Sequence, residues 1–157
     1  MKRVELGKTG IEVSRLGIGT GTGLPSGHCA QALMDKNELA RLLLYALDRG
    51  INLWDTAFQY NTYPHIKEAL KQVGRKDVVL TTKFSAANEK ETIRDFNITL
   101  KDLNIDYVDI CSARNTNRSV FSYGRYICNV RSLCKGCNQV TDNSTWNTCE
   151  EIVTAVY

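Results

Sequence analysis

The composition of this chain is that of a single folded domain. Its 157 residues are 43% apolar and 24% charged, which is enough for a substantial core and excludes a disordered chain. The net charge of +3 is small, and Lys and Arg do not cluster with aromatic residues, so nucleic acid is an unfavoured partner. No stretch approaches the roughly 20 apolar residues that cross a bilayer, and the start lacks a signal peptide's apolar segment. We therefore expect a cytoplasmic protein with no membrane partner.

The first twenty residues predict a hairpin and then a short strand. Residues 3–6 and 11–14 alternate in polarity around Gly-Lys-Thr-Gly at 7–10, as in two antiparallel strands joined by a turn. The run RLGIGTG at 15–21 then indicates a short buried strand that breaks into glycines.

Three amphipathic helices are predicted after this strand. The first has Asp35 and Glu38 spaced as a capping box and Gly50 placed as a C-terminal stop. The second has Pro64 in its first turn and Gly74 beyond its end. The apolar residues at helical spacing are Leu39, Leu42, Leu43, Ala46 and Leu47 in the first helix, Ile66, Ala69, Leu70 and Val73 in the second, and Ile93, Phe96, Leu100 and Leu103 in the third.

Apolar runs at 51–55, 78–84 and 107–111 predict strands that alternate with these helices. An alternating order of strands and helices favours parallel βα units, which is an α/β fold. In parallel sheets and barrels, ligands bind at the carboxyl ends of the strands, where the following loops converge.

Three polar side chains fall at those carboxyl ends. Asp55 and Lys83 lie at or near the ends of two strands, and Tyr60 lies on the loop after Asp55. A phenol with a pKa of about 10 gives up its proton near neutral pH only if a nearby cation stabilises the phenolate. Lys83 is suited to supply that cation and Asp55 to hold it, so that Tyr60 protonates a developing alkoxide. The alternative interpretation is three unrelated side chains at the surface.

The glycines at 17, 19, 21 and 23 do not form a dinucleotide-binding motif. The third glycine of GxGxxG would stand at position 22, which is Thr22, and no helix is predicted to begin there. A P-loop is also excluded, because the GKT at 7–9 lacks the required upstream glycine.

Three segments resemble the aldo-keto reductase family: LGKTGIEVSRLGIGTGTG at 6–23, DRGINLWDTAFQY at 48–60 and VVLTTKF at 78–84. The resemblance covers residues 1–110 or so. It implies the N-terminal half of a (β/α)8 TIM barrel with an N-terminal β-hairpin closing its bottom. The activity that it implies is oxidoreduction, in which NADPH reduces a small aldehyde or ketone to an alcohol.

The resemblance also implies roles for individual residues. Tyr60 is expected to be the general acid, Lys83 the residue that lowers its pKa, and Asp55 the partner of the lysine. Gly19 and Thr20, at the end of the first barrel strand, are expected to lie with Asp55 beside the nicotinamide. No metal is implied.

The family pattern breaks near residue 111. The family's fourth catalytic residue is a histidine five positions after Asp109, and Arg114, a permanent cation with no acceptor, stands there. Residues 1–110 contain fourteen leucines, whereas 111–157 contain only Leu133. Five of the six cysteines also lie in this tail, at positions 111, 128, 134, 137 and 149. We expect two regions, a partial barrel at 1–110 and an irregular or poorly ordered tail at 111–157.

Our hypothesis for the change at residue 111 is an out-of-frame reading of the tail. Residues 111–118 can be encoded by TGC TCT GCA CGA AAC ACG AAC CGG, and reading one base later gives Ala-Leu-His-Glu-Thr-Arg-Thr, which restores a histidine. Resequencing the coding DNA across codons 109–118 tests this hypothesis. The alternative that CKGC at 134–137 binds zinc or acts in redox chemistry is disfavoured, because it is a single pair and both histidines lie far upstream.

Two functional classes remain open. A complete barrel takes about 250 residues, so the predicted four strands and three helices form roughly half of one. The first functional class is therefore a reductase that is truncated and impaired, with weak NADPH binding. The second is an inactive fragment or pseudoenzyme that acts as a binding or oligomerisation module, since exposed strand edges favour edge-to-edge self-association.

Overall fold

The computed structural model describes residues 1–7, 9–24, 29–84, 89–113 and 126–129. The strands are β1 Arg3–Glu5, β2 Glu12–Ser14, β3 Gly17–Gly19, β4 Leu53–Asp55, β5 Val79–Phe84, β6 Ile110–Ala113 and β7 Tyr126–Asn129. The α-helices are α1 Lys36–Asp48, α2 Tyr63–Leu70 and α3 Glu89–Leu103. Single 3₁₀ turns lie at Ala30–Leu33, Phe58–Tyr60 and Arg75–Asp77.

The strands form a hairpin and a five-stranded sheet. β1 pairs with β2 in antiparallel fashion, as predicted. The sheet has the order β3-β4-β5-β6-β7, and its first four strands are parallel. Helices α1, α2 and α3 connect these parallel strands, which confirms the predicted α/β half-barrel. Within the described residues the sheet does not close into a barrel.

β7 lies inside the region that was expected to be irregular. It pairs antiparallel with β6, with the backbone of Cys111 in register with that of Cys128. The free edge of a parallel sheet has unpaired N–H and C=O groups, and β7 satisfies those of β6. The other tail residues beyond 113, including Arg114 and the cysteines of 134–137, lie outside the described residues.

Local interactions explain where the first helix begins and where the first two helices end. Asp35 accepts hydrogen bonds from the N–H groups of Asn37 and Glu38, which begins α1. Gly50 has a φ of +85°, a conformation that suits glycine after a helix end. α2 ends at Leu70, one turn before the end that the apolar residue Val73 predicted. The chain tightens there, since the N–H of Gln72 donates to Ala69 O at 3.0 Å, three residues back.

The fourth parallel strand begins later than predicted, at Ile110 instead of residue 107. The Arg75 guanidinium explains the shift, because its Nε and Nη2 atoms donate to the carbonyl of Tyr107 at 3.2 and 3.0 Å. Asp109 is fully buried, and its Oδ2 accepts from Arg75 at 2.7 Å and from the N–H of Leu80 at 2.8 Å. Residues 107–109 therefore serve as an anchor for Arg75 before the strand begins.

The core consists of two clusters of buried apolar residues. The larger cluster lies between the sheet and the helices and includes Leu43, Trp54, Ile66, Leu80 and Leu103. The smaller cluster joins the hairpin to the amino ends of β5 and β6 through Ile11, Val13, Val79 and Ile110. The hairpin thus covers the amino ends of the strands, on the sheet face that carries the smaller cluster. The carboxyl ends of the strands carry polar residues. Within the described part of the chain, no helix has the length and apolar character to cross a membrane.

Candidate active site

Asp55 and Lys83 meet at the carboxyl end of the sheet. Asp55 is the last residue of β4, and Lys83 is the second-last residue of β5. The Lys83 ammonium donates to both carboxylate oxygens of Asp55, at 2.6 and 2.5 Å, and to the carbonyl of Thr56 at 3.1 Å. These contacts match the three donors of an ammonium group, so the cation is held in one position. The Lys83 side chain is 30% exposed and that of Asp55 24% exposed, so the pair can be reached from solution.

Tyr60 lies directly beside this ion pair. It ends the 3₁₀ turn that follows β4, and its N–H donates to the carbonyl of Ala57 at 3.0 Å. The next residue, Asn61, has a φ of +56°, a left-handed conformation that asparagine tolerates and that ends the turn. The turn places the Tyr60 ring so that its centroid is 5.5 Å from Lys83 Nζ, within the range of a cation–π contact. The structure therefore brings Asp55, Tyr60 and Lys83 together.

Gly19 and Thr20, the other residues predicted to bind the cofactor, differ in accessibility. Gly19 is exposed and pairs in register with Asp55, and a Cβ added to it would meet no atom within 4 Å. Thr20 is fully buried. Its N–H and hydroxyl donate to the carbonyl of Asp55 at 2.9 and 3.2 Å. The backbone at Gly19 thus offers open space, whereas the Thr20 side chain ties β3 to β4.

A buried threonine network supports the site, and sequence reasoning missed two of its members. The hydroxyl of Thr62 lies 3.0 Å from that of Thr20 and 3.2 Å from that of Thr56. All three threonines are fully buried. Because Thr56 also provides a carbonyl to Lys83, the network joins the end of β3 to the ion pair. The sequence signal was a threonine directly after Asp55 and another near the start of α2.

The comparison with protein families agrees with the fold and the geometry. The family model described as aldo/keto reductase family matches residues 15–153. The chain therefore belongs to the aldo/keto reductase family. The match extends past residue 110, where the resemblance in the sequence was expected to end.

Curated relatives support the same assignment. The chain is 32% identical over 124 residues to aldo-keto reductase YhdN of Bacillus subtilis, covering 70% of this chain and 37% of the relative. It is 30% identical over 133 residues to the NADH-specific methylglyoxal reductase of Escherichia coli, covering 70% and 40%. The chain thus spans about two fifths of the length of these curated relatives.

Solved structures of aldo-keto reductases have a similar fold over the matched residues. A thermostable aldo-keto reductase in complex with the inhibitor epalrestat matches with a TM-score of 0.65 and 30% identity, over 76% of this chain and 45% of that one. An aldo-keto reductase from Klebsiella pneumoniae in complex with NADPH matches with a TM-score of 0.52 and 25% identity, over 64% and 34%.

Proposed function

We propose that this chain carries the acid–base part of a reductase site, which acts with NADPH in the cytoplasm to convert a small aldehyde or ketone into an alcohol. The observation that carries the proposal is the Lys83 ammonium held by both oxygens of Asp55, with the Tyr60 ring 5.5 Å away. A phenol beside a fixed cation, at the carboxyl end of a parallel sheet, is suited to transfer a proton to an oxygen, and the carboxylate holds the cation there.

Each of the three residues has a separate task. Tyr60 donates its phenolic proton to the carbonyl oxygen as that oxygen gains negative charge. The phenolate that remains is stabilised by the Lys83 ammonium, because an opposite charge nearby favours the ionised form. Asp55 holds the ammonium in place through a charge-assisted, two-pronged contact. Tyr60 then regains a proton from solvent, which closes the cycle.

The residues at this end fit the reacting part of a nicotinamide cofactor. The exposed backbone of Gly19 has open space above it and lies in register with Asp55, so a flat ring can approach β3 closely. NADPH, when bound, supplies the hydride that the carbonyl carbon accepts. One similar structure is described as a complex with NADPH, and one relative is named as NADH-specific, so both cofactors belong in the test.

We expect weak cofactor binding and slow turnover. The described sheet has four parallel strands and stays open, so the described residues can contact the reacting end of the cofactor from one side only. A site that encloses its ligand less completely excludes water less well and binds less tightly. A submicromolar dissociation constant for NADPH, measured by fluorescence quenching, would contradict this part of the proposal.

An assay of reduced-cofactor oxidation tests the reductase function. Wild-type protein is incubated with a broad panel of aldehydes and ketones and either NADPH or NADH, and compared with Tyr60→Phe. We expect Tyr60→Phe to lower turnover by about 100-fold to 10,000-fold, since that is the contribution of a general acid. Tyr45→Phe, at an exposed position on α1, is the matched control and should keep wild-type turnover. Turnover that is equal in Tyr60→Phe and wild type would refute the role of Tyr60.

The open edge of β3 favours a second function, that of a binding module without catalysis. Among the described strands β3 pairs with β4 alone, so one side of its backbone is available to another strand. In this alternative, two copies associate edge to edge. Light scattering after size-exclusion chromatography, together with the assay of cofactor oxidation, decides between the two functions. A dimer without turnover supports the binding module. Turnover that depends on Tyr60 supports the reductase.

A further inference from the structure

Gly21, two residues beyond the end of β3, lies against the ring of Tyr60. A Cβ atom built on Gly21 would fall within 3.0 Å of three ring carbons, Cγ, Cδ2 and Cε2, which is closer than real Cβ atoms approach. The neighbouring glycines differ, because a Cβ added to Gly19 or Gly23 meets no atom within 4 Å. Of these three positions, Gly21 alone is where the missing side chain makes room for Tyr60.

The backbone at Gly21 has little freedom to move away from the ring. Thr20, directly before it, is bound to the carbonyl of Asp55 through both its N–H and its hydroxyl. The Thr20 hydroxyl also contacts that of Thr62, which in turn contacts that of Thr56. Since all three threonines are fully buried, moving Gly21 would break several buried hydrogen bonds at once.

The Tyr60 ring, in contrast, can move away from a side chain at position 21. The backbone of Tyr60 is fixed by its 3₁₀ turn and by left-handed Asn61, whereas the ring can rotate about its side-chain bonds. Lys83 Nζ also lies near this ring, 5.5 Å from its centroid. A methyl group at position 21 would therefore displace the phenol relative to the ammonium, while the sheet stays intact.

We infer that Gly21 is a positioning residue that holds the Tyr60 phenol beside Lys83, an inference that rests on the proposed reductase function. In this role Gly21 acts through Tyr60, because its lack of a side chain leaves room for the ring. A displacement of about 1 Å in a reacting group costs roughly 100-fold in rate. Replacing Gly21 should thus affect turnover and leave binding of the cofactor almost unchanged.

The first test compares Gly21→Ala with Gly23→Ala. We expect Gly21→Ala to lower kcat about 100-fold with little change in KM for NADPH, since the expected loss is in the reacting geometry. Gly23→Ala should match wild type because its Cβ enters open space. In a Tyr60→Phe background, Gly21→Ala should have no further effect on the residual rate. A full additional loss there would overturn the inference.

The second test needs no turnover. In protein labelled with ¹³C-tyrosine, the Tyr60 signal is assigned by its absence from Tyr60→Phe. Gly21→Ala should shift this signal and Gly23→Ala should leave it in place; an unshifted signal in Gly21→Ala overturns the inference. If wild type lacks turnover, the reductase proposal fails, and this signal still decides whether Gly21 sets the ring position.

A third comparison covers the case in which Gly21→Ala destabilises the fold. The overlap with the ring predicts that the loss of stability from Gly21→Ala disappears in a Tyr60→Ala background, where the ring is absent. Urea denaturation of the four proteins measures this coupling. An equal loss in both backgrounds would show that Gly21 acts through something other than Tyr60 and would overturn the inference.

Discussion

The two ends of the sheet each have a cation paired with a carboxylate, but the two pairs differ in burial. At the amino end, Arg75 contacts Asp109 at 2.7 Å, with side-chain exposures of 16% and 0%. At the carboxyl end, Lys83 contacts Asp55, with exposures of 30% and 24%. The same chemical pairing thus serves as an anchor in one place and lies open to a ligand in the other.

The hydrogen-bond partners explain the contrast. Arg75 donates to the carbonyls of Tyr107 and Val78 as well as to the carboxylate of Asp109, so its planar guanidinium joins the segment before β5 to residues 107–109. Lys83 bonds to a single carboxylate and the carbonyl that follows it, with the Tyr60 ring nearby. An arginine with this many fixed partners stabilises the fold, whereas a partly exposed ammonium beside a phenol is available for chemistry.

The largest expected effect is on rate, at the carboxyl end. Lys83→Met should lower turnover about 1,000-fold, because the phenolate of Tyr60 loses its stabilising cation. Stability should change little, since Asp55 is partly exposed and water can solvate its charge. Lys71→Met, which removes an exposed partner of Glu68, is the control for both measurements. A collapse of stability in Lys83→Met would erase the contrast between the two ends.

The next effect is on stability, at the amino end. Arg75→Met leaves the carboxylate of Asp109 buried without its cation, which should cost about 3–5 kcal/mol in the free energy of unfolding. Urea denaturation measures the loss. Arg49→Met removes an exposed guanidinium whose partner Asp48 is also exposed, and it should have no measurable effect. Equal stability of Arg75→Met and wild type would mean that this pair is not an anchor.

The smallest expected effect is on the pH dependence of stability. It comes from Tyr63, a buried group that is neutral, in contrast to the two ion pairs. Burial raises the pKa of Tyr63, whose hydroxyl lies 2.8 Å from that of Thr82 and 3.2 Å from that of Thr99. In the unfolded chain tyrosine loses its proton at a pH of about 10, while the folded state still holds it. Stability from Tyr63 is therefore present below pH 10 or so and falls as the pH rises through the raised value.

Tyr63→Phe should remove this pH dependence. Near neutral pH we expect it to lower stability by about 1 kcal/mol, the net worth of the lost hydrogen bonding. Above a pH of about 10 the difference from wild type should shrink, as measured by urea denaturation at several pH values. Tyr45→Phe, at an exposed site, is the control. A difference that stays constant or grows with pH would contradict the effect of burial on Tyr63.

Features that depend on local sequence were largely predictable. The helix starts follow from Asp35 and Pro64, because caps and first-turn prolines act within a few residues. The strand ends at Asp55 and just after Lys83 follow from apolar runs, and parallel strands bring their carboxyl ends together. The late start of β6 at Ile110 was not predictable, since it depends on Arg75, which lies more than thirty residues away.

The sequence by itself determined the alternation of strands and helices, the resemblance to a reductase family, and the presence of Asp55, Tyr60 and Lys83 near one edge. Those features arise from periodicity and from short motifs. The tertiary structure alone decided that Thr20 is a buried tie between strands, that Thr62 connects it to Thr56, and that Gly21 touches the Tyr60 ring. Each of these joins residues that only packing brings together, so no local pattern along the chain encodes them.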